Sequence, residues 1–219
     1  MIKVPNILFA LLFAISVVFM LFMVGFFLIP ADIGPARLQE KDKCKCPPPA
    51  KNPLENVGIH ICAFHLAKDD PNVIVETQHY CSPLGDESFQ CLLYDSIYKH
   101  ARLIGVEYVI SDRQYQQLST EEKQYWHPHE YEIREGLLLP IGMPKECEQK
   151  TMKALLHSWG KTIHTWRDPN TSLPIGAPRL MWSASKEHNV PEKLVQDRDK
   201  RFETDTKAVR KERQEYLEK

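Results

Sequence analysis

The sequence is poor in the features that mark several large classes of protein. It has six cysteines in 219 residues, too few for a disulfide scaffold in a chain of this length. Its formal net charge of −1 gives no electrostatic reason to expect nucleic-acid binding. It contains no glycine-rich phosphate loop, no nucleophile elbow and no internal repeat. The remaining composition is that of an ordinary globular protein.

A long uncharged segment lies near the N-terminus. Residues 7–29 read ILFALLFAISVVFMLFMVGFFLI. A helix of this length covers roughly 35 Å, enough to cross a bilayer core of about 30 Å. The apolar part of a signal peptide is shorter, and a buried core helix would carry a polar stripe. We therefore predict a transmembrane anchor within residues 1–30, with these apolar side chains in the membrane: Ile7, Phe13, Phe19, Phe26 and Ile29.

Basic residues are more numerous after the predicted span than before it. Lys3 precedes it, whereas Arg37, Lys41, Lys43 and Lys45 follow it. Positive charge favours the cytosolic side of a membrane, so we predict a single-pass protein with a cytosolic C-terminal domain. The sequence Asn170-Thr171-Ser172 is an N-glycosylation acceptor, and a glycan there would contradict this orientation.

Composition divides the rest of the chain into three segments. Residues 31–53 are rich in proline and lysine and predict a linker. Residues 54–185 carry the apolar periodicity of a folded domain. Residues 186–219 have many charges of both signs and predict a solvated, partly detached helical tail.

The folded segment predicts an α+β fold with a mainly antiparallel sheet and interleaved helices. GIHICAFHLA is short, apolar and rich in β-forming residues, and NVIVETQHYC alternates between apolar and polar faces. With the turn signal KDDPN between them, they predict a hairpin. FQCLLYDS, the largely apolar ARLIGVEYVIS, EYEIREGLLLPIG and KTIHTWRD predict further strands, as does the segment before Ser185. Helical periodicity appears in SDRQYQQLSTEEKQYWH and in PKECEQKTMKALLHSWG.

Histidines lie on or beside several of these strands. His127 and His129 are two residues apart, which could place two imidazoles on one side of a strand. A third imidazole and a nearby carboxylate would complete a centre for a divalent transition metal. The candidate metal ligands are His65, His79, His127 and His129, and the candidate site also includes Glu76, Glu107 and Glu132.

Simpler interpretations of these residues stay open. A histidine at a strand end more often bonds to a backbone carbonyl or to a neighbouring acid. Glu107 could form an ion pair with Arg102 or Arg134, or pair with a buried histidine as a tuned acid. The cysteines on the strands, Cys62, Cys81 and Cys91, are typical of small buried apolar groups.

Several blocks between Val57 and Ser185 together resemble one known family. FHLAKDDPNVIVETQHYCSPLGDESFQCLLYDS, ARLIGVEYVIS, WHPHEYEIREGLLLPIGMP, GKTIHTW and LPIGAPRLM are similar, in order and spacing, to the oil body-associated protein family. The resemblance implies association with lipid droplets or their membranes. It supplies no reaction and no catalytic residue.

Two functional hypotheses follow from the sequence. The favoured one is a non-catalytic protein of the endoplasmic reticulum or lipid droplets, which organises lipid or binds partner proteins and contacts membrane lipid through its N-terminal helix. The alternative is a metal-dependent enzyme that uses the histidines on a small or lipid-derived substrate. No nucleic-acid partner is expected.

Overall fold

Six antiparallel strands close into a barrel in the computed structural model, which describes residues 52–218. After a single helical turn at Pro53–Asn56, the barrel strands are β1 (Ile59–Ala67), β2 (Asp70–Pro83), β3 (Ser88–Tyr94), β4 (Leu103–Ser111), β7 (Ser158–His164) and β8 (Arg179–Ser183). Each pairs with the next in this order, and β8 pairs back onto β1.

The predicted α+β fold with a mainly antiparallel sheet and interleaved helices is therefore wrong. The alternation that predicted the strands is present, since Val75, Thr77, His79 and Cys81 of β2 are all buried. A strand with one buried face has the same alternation in an open sheet and in a barrel. Closure depends on the pairing of His65 with Ser183, and contacts so distant in sequence leave no local signal.

Two very short strands continue the barrel wall beyond the end of β8. β5 (His127–Pro128) pairs with β7 opposite Gly160, and β6 (Leu139–Pro140) pairs with β1. They follow two short helices, α1 (Asp112–Gln116) and α2 (Thr120–Lys123), and they flank a third, α3 (Glu130–Arg134). The predicted strand EYEIREGLLLPIG is thus mostly helix and loop, with only β6 extended.

The longer helices pack against the barrel. α4 (Lys145–Leu155) buries Met152 and Leu155 in a core cluster with Ile61 and Val109. α5 (Glu192–Phe202) and α6 (Thr206–Leu217) form the C-terminal segment.

The C-terminal segment packs on the barrel instead of being partly detached. Val195 of α5 lies in a second cluster with Phe64 and Leu66, on the outer face of β1. Arg198 and Arg213 are only 0% and 1% exposed.

Within residues 52–218, no helix has both the length and the apolar composition needed to cross a bilayer. The predicted membrane helix and its anchor residues lie outside the described residues.

Candidate metal centre

A buried carboxylate lies at the centre of the barrel interior. Glu107 is on β4, directly opposite Thr162 of β7 and Cys91 of β3, and it is 4% exposed. The Thr162 hydroxyl donates a 2.7 Å hydrogen bond to Glu107 Oε1. A carboxylate at such a depth must have partners that offset the loss of water.

Three imidazoles supply the other contacts of this carboxylate. His79 Nε2 lies 3.1 Å from Glu107 Oε2. On the other side, His127 Nε2 and His129 Nε2 lie 3.5 Å and 3.4 Å from Oε1. All three histidines are buried.

Two more histidines extend the cluster beyond His79. His65 Nε2 lies 3.0 Å from His79 Nε2. His65 Nδ1 lies 3.0 Å from His164 Nε2. His65 lies on β1 and His164 at the end of β7, and both are buried. Five imidazoles therefore share one water-poor interior with Glu107.

The pairing of β5 with β7 brings His127 and His129 into the barrel. His127 lies opposite Gly160, and the His129 amide donates to the Ser158 carbonyl at 3.2 Å. The Ser158 hydroxyl donates to the Leu155 carbonyl at 2.7 Å, so it must accept its 2.8 Å bond from His129 Nδ1–H. In a neutral ring, Nε2 of His129 then carries a lone pair.

This lone pair faces Glu107 Oε1, which is also an electron-rich atom. The contact becomes attractive only when a proton or a metal cation lies on His129 Nε2. Burial alone would lower the pKa of His129, but Glu107 outweighs burial and raises it. Burial would likewise raise the pKa of Glu107, yet the three histidines hold it well below its usual value.

Three other imidazoles favour their neutral form. Burial lowers the pKa of His127 and holds that of His65 well below its usual value. Burial and the nearby His79 lower the pKa of His164 to about 4. Neutral imidazoles and an ionised carboxylate are the protonation states that bind transition metals.

Because Gly160 has no side chain, three of these donors can converge beside it. An ideal Cβ on Gly160 would lie 2.4 Å from Glu107 Oε1, 2.6 Å from His129 Nε2 and 2.8 Å from His127 Nε2. Bonds of about 2.0–2.1 Å in a tetrahedron separate two ligand atoms by about 3.4 Å. The contacts of 3.4 Å and 3.5 Å between Glu107 and the two histidines match this separation.

A small cavity adjoins the cluster. It has a volume of about 40 Å³ and is lined by His79, Glu107, His129 and Glu132 together with apolar side chains. Burial raises the pKa of Glu132 to about 7. The disulfide between Cys81 and Cys91 also lines it, so two cysteines that the sequence indicated as simple apolar groups are covalently joined.

The structure brings together most of the residues in the predicted site. His65, His79, Glu107, His127 and His129 form the cluster, and Glu132 lies on the adjoining cavity. Glu76 does not join them, because it pairs with Arg201 outside the barrel. The functional role of these residues stays a prediction.

Several members of the site were missing from the predicted set. His164 lies in the strand KTIHTW, and its alternation with Thr162 and Gly160 could have placed all three on one face. Ser158 was also missing from the predicted set. Its hydrogen bond to His129 depends on the pairing of β5 with β7, and no local sequence pattern predicts that pairing.

Comparison with family models and with curated proteins identifies relatives of this chain. Residues 51–217 match a family described as "Protein of unknown function (DUF1264)". Oil body-associated protein 1B of Arabidopsis thaliana is 36% identical over 162 residues, which is 74% of this chain and 67% of that protein. Oil body-associated proteins 1A and 2B of Zea mays are 37% and 38% identical, over 68% and 73% of this chain.

The match does not extend over whole relatives. This chain spans 63% of the Zea mays 1A protein and 65% of the Zea mays 2B protein. No solved structure matches the chain significantly. The family resemblance predicted from the sequence is nevertheless confirmed, and the chain belongs to the oil body-associated protein family.

Proposed function

We propose that the barrel is a metal-binding domain, in which Glu107, His127 and His129 hold one divalent transition-metal ion. The observation that carries this proposal is the convergence of three donor atoms on Gly160, where an ideal Cβ would lie within 2.8 Å of each. Two imidazoles and a carboxylate suit zinc, iron, copper or nickel better than calcium or magnesium.

The proposed centre has the composition of a catalytic site. A structural zinc site uses four protein ligands, whereas a catalytic site uses three and leaves a position open. Ligands of this ion also line the 40 Å³ cavity, whose remaining walls are mainly apolar. This arrangement favours a metal-dependent reaction of a small molecule over the non-catalytic role that was favoured from the sequence.

The relatives' names support a role at oil bodies. Those proteins are called oil body-associated, and we extend that association to this chain. The surface offers an apolar area that could contact lipid, since Leu54 and Tyr98 are 69% and 67% exposed and line one shallow pocket with Ile97. Such exposed clusters mark interaction surfaces.

The disulfide supports folding in an oxidising compartment. Disulfides persist in the secretory pathway and are rare in the cytosol. The bond between Cys81 and Cys91 therefore argues against the predicted cytosolic domain.

Gly160→Ala tests the metal-binding proposal. The new methyl group would lie within 2.8 Å of all three donor atoms and force them apart, so that they could no longer share an ion. The full-length protein is stripped with a chelator, incubated with Zn²⁺, dialysed and analysed for bound zinc by mass spectrometry. We expect G160A to bind one equivalent less than the wild type and to keep its near-ultraviolet circular dichroism.

Gly58→Ala is the matched control, because its Cβ would approach only the Asn56 carbonyl, at 4.0 Å. It should bind as much zinc as the wild type. The proposal is wrong if the stripped wild type takes up less than about a tenth of an equivalent. Equal zinc binding by folded G160A would also contradict it.

A further inference from the structure

We propose that a second ion binds beside the first, held by His65, His79 and the other oxygen of Glu107, so that Glu107 bridges a two-ion centre. This inference rests on the proposed function, because Glu107 is the shared ligand. The three donor atoms lie within 4.8 Å of one another, and all three residues are buried.

The spacing of these atoms is that of neighbouring ligands on one ion. His65 Nε2 and His79 Nε2 are 3.0 Å apart, and His79 Nε2 is 3.1 Å from Glu107 Oε2. With bonds of about 2.0–2.1 Å, ligand atoms at angles between 90° and 109° are separated by about 2.9–3.4 Å.

Hydrogen bonds alone do not explain this arrangement. The Nε2 atom of an imidazole carries either one hydrogen or one lone pair. His79 Nε2 nevertheless has two close partners, a ring nitrogen of His65 and a carboxylate oxygen of Glu107. One hydrogen cannot form a good bond to both, whereas a cation between the three atoms would contact them all.

The two oxygens of Glu107 face different sets of histidines. Oε2 faces His79, while Oε1 faces His127 and His129. A carboxylate in this position can give one oxygen to each of two ions. In two-metal enzymes, ions lie about 3.5–4 Å apart, and carboxylates can span such a distance.

His164 would support the second ion through its contact with His65. Its Nε2 lies 3.0 Å from His65 Nδ1. Metal-bound histidines usually donate their second ring N–H to a fixed acceptor, and His164 Nε2 lies at the right distance to be that acceptor. His164 is thus a positioning residue for His65, as Ser158 is for His129 at 2.8 Å.

One cavity joins the two halves of the centre. It is lined by His79 from the second set, His129 from the first and the shared Glu107. Its volume of about 40 Å³ admits only a molecule of a few atoms, such as a bridging water or hydroxide. Glu132, a second buried carboxylate on the same cavity, would help to balance the charge of two divalent ions.

Zinc stoichiometry of the full-length chain tests the second ion. The chelator-stripped wild type should retain two equivalents of Zn²⁺. His65→Asn and His129→Asn each remove a ligand from one set and should each retain one. His100→Gln changes an exposed histidine outside the cluster and should retain two.

Cobalt gives a readout that needs no variant. In the wild type loaded with two equivalents of Co²⁺, the bridge should couple the two ions magnetically, so that the electron paramagnetic resonance signal falls below that of two isolated ions. Two uncoupled ions would overturn the inference.

The zinc results also separate this inference from the proposed function. One equivalent in the wild type, unchanged in H65N and lost in H129N, would overturn the second ion and leave the first. Two equivalents in both the wild type and H65N would place the extra ion elsewhere and overturn the second site. No bound zinc in the wild type would overturn both proposals.

Discussion

Glu107 shows how a single residue determines the chemistry of the interior. The two arginines that the sequence offered as partners bind elsewhere: Arg102 pairs with Asp95 and Arg134 with Glu130. Glu107 is therefore left with Thr162 and the histidines as partners, none of which is a permanent cation. The negative charge of its carboxylate is what attracts a cation.

Cys62 differs from a reactive cysteine in both its burial and its pKa. It is 0% exposed, and burial together with the charge of Glu76 raises the pKa of its thiol to about 12. Only the thiolate is strongly nucleophilic, so a rise of this size lowers the reactive fraction about 1,000-fold at pH 8. We expect iodoacetamide to leave Cys62 of the native protein unmodified.

Peptide mass spectrometry after timed labelling at pH 8 measures this reactivity at Cys62 alone. The same protein in urea is the control, and there the residue should react at the rate of an ordinary thiol. Equal labelling rates with and without urea would contradict the buried position.

At the scale of elements, two arginines attach the C-terminal helices to the barrel. Arg198 of α5 donates to the carbonyls of Leu137 and Gly136 at 2.5 Å and 3.3 Å. Arg213 of α6 donates to the carbonyl of Ile133 at 2.8 Å. These carbonyls lie at and just after the end of α3, and the Ile133 carbonyl also accepts from the Gly136 amide at 3.2 Å. The arginines therefore hold the segment that carries His127 and His129.

Arg198→Met should destabilise the protein strongly. Methionine keeps most of the volume but removes the Arg198 hydrogen bonds to two buried carbonyls and to the carboxylate of Asp199. We expect the free energy of unfolding in urea to fall by about 3 kcal/mol. Arg201→Met is the matched control, since its side chain is 34% exposed and pairs only at the surface with Glu76. Arg201→Met should lower the free energy of unfolding by less than about 1 kcal/mol. Similar losses in both variants would contradict the attachment of the C-terminal helices by Arg198.

Local pattern predicted the strands well and the short elements poorly. The alternation of β2 correctly placed His79 and Cys81 on one buried face, because side chains on a strand alternate whatever sheet it joins. The segment around α3 was mistaken for a strand because Leu137, Leu138 and Leu139 form an apolar run. Gly136, at φ +73°, ends the helix there, and only the run after it extends into β6.

At the scale of the whole molecule, barrel closure creates the site. His65 on β1, Glu107 on β4 and His164 on β7 are far apart in sequence and meet only because the wall is closed. The sequence could supply the candidate donors but not their distances, which depend on pairings between distant strands. The alternation of β7 could place Gly160 on the interior face, but its contribution, the absence of a side chain beside the donors, leaves no pattern in the sequence.

The compartment of the whole molecule can be tested at Asn170, in the exposed loop between β7 and β8. If the barrel folds in the oxidising environment that its disulfide favours, Asn170-Thr171-Ser172 should be glycosylated in eukaryotic cells. Treatment of the full-length chain with an N-glycosidase should then increase its gel mobility, and Asn170→Gln should migrate like the treated wild type. Cys81 and Cys91 should resist alkylation before reduction. An unchanged mobility together with free thiols at both cysteines would instead support the cytosolic placement, because a domain that never entered the secretory pathway would acquire neither modification.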